Sequence, residues 1–140
     1  MLTILAFCSA VLMINCSSVI TKDPGFQREW MLICFENYSK QDLIKYKARV
    51  DLSSSNENGK IKGSAYMGCN KIFFYTEFRN SGKLKISGLG STMMACPDMK
   101  LEDDFSKRFK NMSYYQVDGH FLTLTDRQGY IMKFVAADWD

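Results

Sequence analysis

Lys45-Tyr46-Lys47-Ala48-Arg49-Val50-Asp51-Leu52 is followed by Ser53-Ser54-Ser55-Asn56-Glu57-Asn58-Gly59 and then by Lys60-Ile61-Lys62-Gly63-Ser64-Ala65-Tyr66-Met67. The first eight residues alternate charged and apolar side chains without a break. Successive side chains of an extended chain point to opposite faces, so this pattern predicts a half-buried strand with one face in the core and one in water. The middle run ends in Asn-Gly, the pair best suited to a tight turn, and the third run resumes a looser alternation. Together the three stretches read as a β-hairpin.

The same scheme extends outward along the chain. Lys71 to Phe78, a turn at Asn80-Ser81-Gly82 and Lys83 to Ser87 form a further pair, and Tyr114 to Val117, His120 to Thr125 and Tyr130 to Ala136 follow, separated by Asp118-Gly119 and Asp126-Arg127-Gln128-Gly129. With Trp30 to Glu36 at the front, about eight short strands are predicted, joined mostly by hairpin turns. One helix interrupts them. Pro97 suits a first helical position; Asp98, Glu102, Asp103 and Asp104 gather toward the positive end of the helix dipole, and Lys107, Arg108 and Lys110 toward the negative end. Leu101, Phe105, Phe109 and Met112 make one apolar stripe for burial against the sheet, while Glu102-Asp103-Asp104 reads as a solvated first turn. The predicted fold is α+β, mainly antiparallel β: a curved sheet or partial barrel of about eight short strands with one packed amphipathic helix.

At 140 residues, 46% hydrophobic and 24% charged, the chain has the composition of one ordinary globular domain. Its 18 basic and 15 acidic residues leave a net charge of +3, too balanced for a nucleic-acid binder, and no nucleic-acid partner is expected. The charge is nevertheless uneven. Lys40 to Lys85 holds ten basic and four acidic residues, whereas Asp98 to Asp140 holds six basic and eight acidic. Strand alternation would put Lys45 and Lys47 on one face of one strand and Lys60 and Lys62 on one face of the next. These four lysines are a candidate contact surface for anionic lipid headgroups or an acidic partner; alternatively they keep the sheet soluble and its edges unpaired.

No charged side chain precedes Lys22, and Leu2 to Ile14 form an apolar run with the length of a signal-peptide core, short of the roughly 20 residues needed to span a bilayer. Cys16 ends this region, in Leu12-Met13-Ile14-Asn15-Cys16-Ser17-Ser18, where a lipoprotein signal places its acylated cysteine. Asn15 stands where a small residue is usual and the run has no basic residue before it, so an ordinary cleaved signal or a retained anchor are the alternatives. The expected organisation is a leader over residues 1–16, ending at a lipidated Cys16, a short tether over 17–26 and a domain over 27–140. Acyl chains bury about 0.8 kcal/mol per CH₂ and two together anchor stably. The expected partners are therefore the membrane, through the lipid anchor, and an unidentified envelope protein, peptide or lipid. The expected location is the cell envelope, periplasm-facing or at the surface, with the bacterial outer membrane favoured.

Two cysteine neighbourhoods are distinctive: Gly63-Ser64-Ala65-Tyr66-Met67-Gly68-Cys69-Asn70-Lys71 ahead of an aromatic strand, and Leu89-Gly90-Ser91-Thr92-Met93-Met94-Ala95-Cys96-Pro97-Asp98 ahead of the helix. In order and spacing they resemble the paired motifs of the META domain, the HslJ-like family. A Trp30-x-Leu32 opening strand, a Gly82-Lys83-Leu84 strand and the Asp118-to-Leu124 segment extend the likeness over nearly all of Gln27 to Ala136. Its motif residues here are Gly68, Cys69, Asn70, Thr92, Met94, Cys96 and Pro97. Met93 stands where the family commonly has a basic residue. The resemblance implies a small fold with a curved antiparallel sheet and a packed helix, often on an envelope lipoprotein associated with heat or antibiotic stress, and no established catalytic activity.

Setting aside Cys8 and Cys16, the domain keeps Cys34, Cys69 and Cys96, which allows at most one internal disulfide in an oxidising compartment. Cys69 with Cys96 is the natural pair, each sitting in a motif between two elements; closing that loop of about 28 residues would contribute roughly 3 to 4 kcal/mol. The alternative is three buried, reduced thiols. Cys34 reads as core. A third reading makes Cys96, at the start of the helix, a low-pKa nucleophile of a thiol-dependent enzyme or redox protein. The one histidine, His120, reads as an exposed residue at a hairpin turn, and Cys-x-x-Cys is absent. No phosphate loop and no zinc ligand set is recognisable. A non-enzymatic protein without cofactor or metal is expected.

Overall fold

The computed structural model describes residues 25–139; the leader, Cys8, Cys16 and most of the tether lie outside the described residues. Nine strands and two helices follow one another: β1 (Glu29–Phe35), α1 (Lys40–Lys45), β2 (Arg49–Asp51), β3 (Asn56–Glu57), β4 (Lys60–Tyr66), β5 (Lys71–Phe78), β6 (Leu84–Ser91), α2 (Lys100–Phe109), β7 (Met112–Asp118), β8 (Phe121–Asp126) and β9 (Ile131–Ala136). All pairings are antiparallel, in the order β6-β5-β4-β2-β1-β9-β8-β7, with β3 beside β4. The two end strands meet at one point, where Lys83 bridges Tyr114 and the Tyr115 amide donates to the Gly82 carbonyl at 2.9 Å. The sheet is thus a nearly closed barrel with one seam.

Alternation does most of the sorting. On β5, Ile72, Phe74 and Thr76 are buried while Lys71, Phe73 and Tyr75 face outward. Phe74 needs room across the neighbouring strand, and Gly63 supplies it: a Cβ there would come within 2.3 Å of the Phe74 ring. Helix α2 lies on the inner face. Its Leu101, Phe105 and Phe109 are buried, with Met112 just beyond it in β7. The Phe105 and Phe109 rings stack at 4.7 Å, and Phe109 meets Phe74 edge-on at 4.8 Å. Trp30 is fully enclosed, and its indole N–H donates to the Phe26 carbonyl at 2.8 Å. Phe26, assigned from sequence to the tether, is itself buried and stacks on Phe78 at 4.1 Å, so the packed body starts before Gln27.

The stretch whose alternation is cleanest departs most from its reading. Only Arg49–Asp51 is a strand, and Lys45 closes a helix. Ser39 caps that helix by accepting from the Asp42 amide at 3.1 Å while its hydroxyl donates to the Asp42 carboxylate at 2.6 Å, a reciprocal cap. At the other end, Lys47 takes a left-handed conformation (φ 52), its amide donates to the Ile44 carbonyl and the Ala48 amide to the Leu43 carbonyl, both at about 3 Å. That is a Schellman ending with Lys in place of the usual Gly. Leu43 is buried, Tyr46 half-buried and Ala48 buried, which satisfies the apolar positions by another geometry.

Three smaller corrections have local causes. Strand β6 runs on to Ser91 because Gly88, at φ 62, absorbs a bulge opposite Phe74 instead of ending the strand. Helix α2 begins at Lys100, not at Pro97, because the Asp98 side chain accepts from the Lys100 amide at 3.1 Å and makes Pro97-Asp98 a turn before the helix. Cys34 is exposed and not core, since a bulge between Leu32 and Cys34 shifts the β1 register against β9 and turns the thiol outward.

Candidate functional site

The two cysteine motifs come together at the point where β4 passes into β5 and β6 passes toward α2. Cys69 and Cys96 are disulfide-bonded, with Cα atoms 6.1 Å apart. Beside them Asn70 is 1% exposed and acts as a hub. Its Oδ1 accepts from the Thr92 hydroxyl at 2.9 Å and from the Met94 amide at 2.7 Å. Its Nδ2 donates to the Met94 carbonyl at 3.2 Å and to Glu102 Oε1 at 2.9 Å, and its own amide donates to Glu102 Oε2 at 2.6 Å. Thr92 completes the link, accepting from the Lys71 amide through Oγ1 and donating its amide to the Lys71 carbonyl. Every hydrogen-bonding atom of the Asn70 side chain therefore has its full complement of partners. Gly68 fits the same junction: its φ is +111, and a Cβ would come within 2.6 Å of the Tyr46 ring.

Glu102 is the member that the sequence reading misplaces. It is 5% exposed, not solvated. The signal was present in the spacing, because Glu102 stands three and seven residues before Phe105 and Phe109 and so shares their helix face. Its two oxygens hold the start of β5 against the first turn of α2. The motifs build a clasp between sheet and helix, in which disulfide and hydrogen bonds tie the same three segments.

A second polar cluster crosses the helix on its solvent side. Lys100 pairs with Asp104 at 2.5 Å, and the Tyr38 hydroxyl donates to Asp104 at 2.7 Å. The Lys100 ammonium, then Tyr38, hold the Asp104 carboxyl below its ordinary value, and Asp104 in turn raises Lys100. Partial burial, then Asp104, raises the Tyr38 phenol. The Tyr46 hydroxyl donates to Asp98, lowering that carboxyl. Arg108 reaches Glu36 at 2.7 Å and lies 3.6 Å over the Tyr130 ring. These contacts fasten α1 and the hairpin loops to α2.

The four candidate contact lysines do not form one patch. Lys45 ends α1, its ammonium 5.7 Å from the Tyr46 ring centroid, and Lys47 follows in the helix ending. Lys60 and Lys62 are at the start of β4, where they line an open cleft with Ser54, Asn58 and Tyr75. Arg49 pairs with Tyr66 at the far end of β4, so the two pairs of lysines are separated by most of that strand, roughly 20 Å at 3.3 Å per residue. Lys60 also contacts Glu77 at 3.9 Å. His120 is exposed and stacks on Trp139 at 4.9 Å. Met93, in the family's basic position, is 98% exposed, and Met94 contributes only its backbone to the clasp. Pro97 lies in the turn before α2. Among the described residues no three His, Cys, Asp or Glu side chains gather as a metal site.

Sequence reasoning also passed over a cluster of cations at the barrel seam, Arg79, Lys83, Lys85, Lys110 and Arg127, which line one cleft. No local pattern links them, since they come from three hairpin or helix ends far apart in the chain.

Solved structures share this architecture. The chain resembles a protein from Burkholderia xenovorans determined by NMR (TM-score 0.59, 18% identity, covering 81% of this chain and 83% of that one). It also resembles a duf4847 family protein from Bacteroides vulgatus (TM-score 0.54, 14% identity, 81% and 95% covered) and a further NMR structure (TM-score 0.53, 17% identity, 80% and 91% covered). At these identities the likeness is one of fold. No curated protein matches the chain. The sequence matches the META domain over residues 25–139, from the glycine ahead of the first buried ring to the end of the described body. The chain belongs to the META domain family.

Proposed function

We propose that this META-type protein is a non-enzymatic binding domain, tethered to the cell envelope by an acylated Cys16, that engages an envelope protein, peptide or lipid and supports the envelope under stress. The observation that carries this reading is the clasp. Cys96, the one residue that offered a nucleophile, has its sulfur bonded to Cys69, and the polar atoms of Asn70 and Thr92 are taken up by neighbouring backbone and by Glu102. A motif whose reactive groups satisfy one another stabilises a scaffold; it does not offer a base or a nucleophile to a substrate. A bridged pair also suits an oxidising compartment, which agrees with an exported chain.

Mass spectrometry of the mature protein after thiol alkylation tests the non-enzymatic half. The expected result is a bridged Cys69–Cys96 with label only on Cys34; rapid labelling of Cys96 well below pH 8 would replace this reading with that of a thiol-dependent enzyme or redox protein. Detergent-phase partitioning tests the tether. Cys16→Ser should move the protein into the aqueous phase and Cys8→Ser should not, and unchanged partitioning of Cys16→Ser would remove the lipid anchor from the proposal.

A further inference from the structure

We infer that the seam between β6 and β7 is a binding site for a multiply charged phosphate group, the chemistry shared by a diphosphate and a phosphorylated lipid headgroup. The inference rests on the binding-domain reading and gives it a ligand class and a place. Its foundation is a cleft of about 430 Å³ lined by Arg79, Lys83, Lys85, Lys110 and Arg127, with no acidic side chain in its wall. The whole chain carries only +3, so five cations around one opening are a strong local concentration. Lys83, Lys85, Lys110 and Arg127 make no ion pair among the described residues, and Arg79 reaches only Glu77, at 3.9 Å.

Ordinary structural roles account for part of this set and not the rest. A lysine after a helix complements its dipole, which explains Lys110. Lysine on a sheet edge discourages unwanted pairing, which explains Lys83 or Lys85. Neither role brings two arginines to the same opening from two different hairpin turns. Like charges within a Debye length of about 8 Å repel one another, so their convergence in an open cleft is unfavourable until an anion offsets it.

The arginines also stand on fixed supports. The Arg79–Lys83 turn is closed on itself by the Arg79 amide donating to the Lys83 carbonyl and is pinned to β7, where the Tyr115 hydroxyl donates to the Arg79 carbonyl at 3.0 Å. The turn bearing Arg127 is held by the buried Asp126, whose Oδ1 accepts from the Gln128 and Tyr130 amides at 2.8 and 2.9 Å. That carboxylate is engaged by the amides of its own turn and makes no ion pair with Arg127. Two guanidinium forks can each grip a pair of phosphate oxygens, and the ammonium groups add charge without fixed geometry. A neighbouring cleft shares Lys110, Ser113 and Arg127 and adds Asn111, Asp126 and Gln128 but no further cation, so the positive charge is concentrated in the first cleft, where five cations suit a group bearing more than one negative charge.

The test is calorimetric titration of the full chain with sodium pyrophosphate at about 0.15 M salt. Saturable binding is expected. Arg79→Gln with Arg127→Gln should weaken it by about tenfold or more, while replacement of Lys45, Lys47, Lys60 and Lys62 by Gln, which removes as much or more positive charge elsewhere, should leave it within about twofold. Lys85→Gln with Lys110→Gln provides a second reading of the same cleft should the arginine variant fail to fold. Absence of saturable binding, or equal loss in the control variant, overturns the site in favour of diffuse charge. Dihexanoyl phosphatidic acid identifies the source: tighter binding than pyrophosphate assigns a lipid headgroup, weaker binding a soluble phosphate. These outcomes are independent of alkylation and phase partitioning, so failure of the cleft would leave the tethered-domain reading intact.

Discussion

The clasp and the seam lie in one small barrel and treat polar groups in opposite ways. In the clasp, Asn70, Thr92 and Glu102 converge with complementary donors and acceptors, and a disulfide lies beside them. At the seam, five cations converge with almost nothing to answer them. Buried polar groups must be satisfied, because an unmade hydrogen bond in a low-dielectric interior costs more than the bond contributes in water. Exposed charges face no such demand and can remain available. The lesson is that a recognisable motif need not be the place where a protein meets its ligand. Here the motif residues hold the frame, and a set without sequence signature carries the free charge.

If that contrast is right, substitutions in the two regions should move stability in opposite directions. The largest effect is expected at Asn70. Asn70→Ala removes four hydrogen bonds and leaves Glu102 with a single remaining donor, the residue 70 amide, while it stays buried. Stranding a buried carboxylate in this way should cost about 3 to 5 kcal/mol, read as a lower denaturant midpoint at unchanged slope. A loss below about 1 kcal/mol, the range of surface substitutions, would mean that the clasp is not integral to the frame.

A subtler change sharpens the same side. Asn70 presents two donors to Glu102, its amide and its Nδ2, so both side-chain oxygens must accept. Gln has nearly the same shape but one oxygen, and its NH₂ would face a donor. Glu102→Gln should therefore cost about 1 to 3 kcal/mol despite preserved volume. A neutral result by chemical denaturation would show that Glu102 fills space and does not organise the clasp.

Legibility followed the same division. Period-two alternation located β1, β4 and β5 nearly to the residue, because hydrophobic burial on one face of a sheet is a local signal that the chain cannot hide. The hydrophobic stripe of α2 was equally plain. The alternation at Lys45 to Leu52 misled because a helix ending and a strand can both turn Tyr46, Ala48 and Val50 inward; the competing sign, Ser39-x-x-Asp42, marked a capped helix too short to show a period of its own. Cys34 depended on a bulge, which alters register without altering composition. Glu102 was readable from its helix face but was outweighed by its acidic neighbours. Arg79, Lys110 and Arg127 were not readable at all, since only closure of the barrel brings a turn after β5, the end of α2 and a turn after β8 to one opening.

The smallest expected effect is the one that separates the regions most sharply. Arg127 is exposed and makes no ion pair or side-chain hydrogen bond with a described residue, and the charged side chains that share its cleft, Arg79, Lys83, Lys85 and Lys110, are all cations. Removing its charge should relieve repulsion, so Arg127→Gln should stabilise the anion-free protein at low salt by a few tenths of a kcal/mol, about the scale of exposed charge pairs. For a domain of this size that raises the melting temperature by roughly 1 °C. Added salt screens the repulsion within a few ångströms, and the gain should vanish near 1 M sodium chloride, where the Debye length is about 3 Å. Glu102→Gln should show no such salt dependence, because its partners are neutral and buried. A loss of stability in Arg127→Gln at low salt would instead make this arginine part of the frame, and the seam would have to be read as a second clasp.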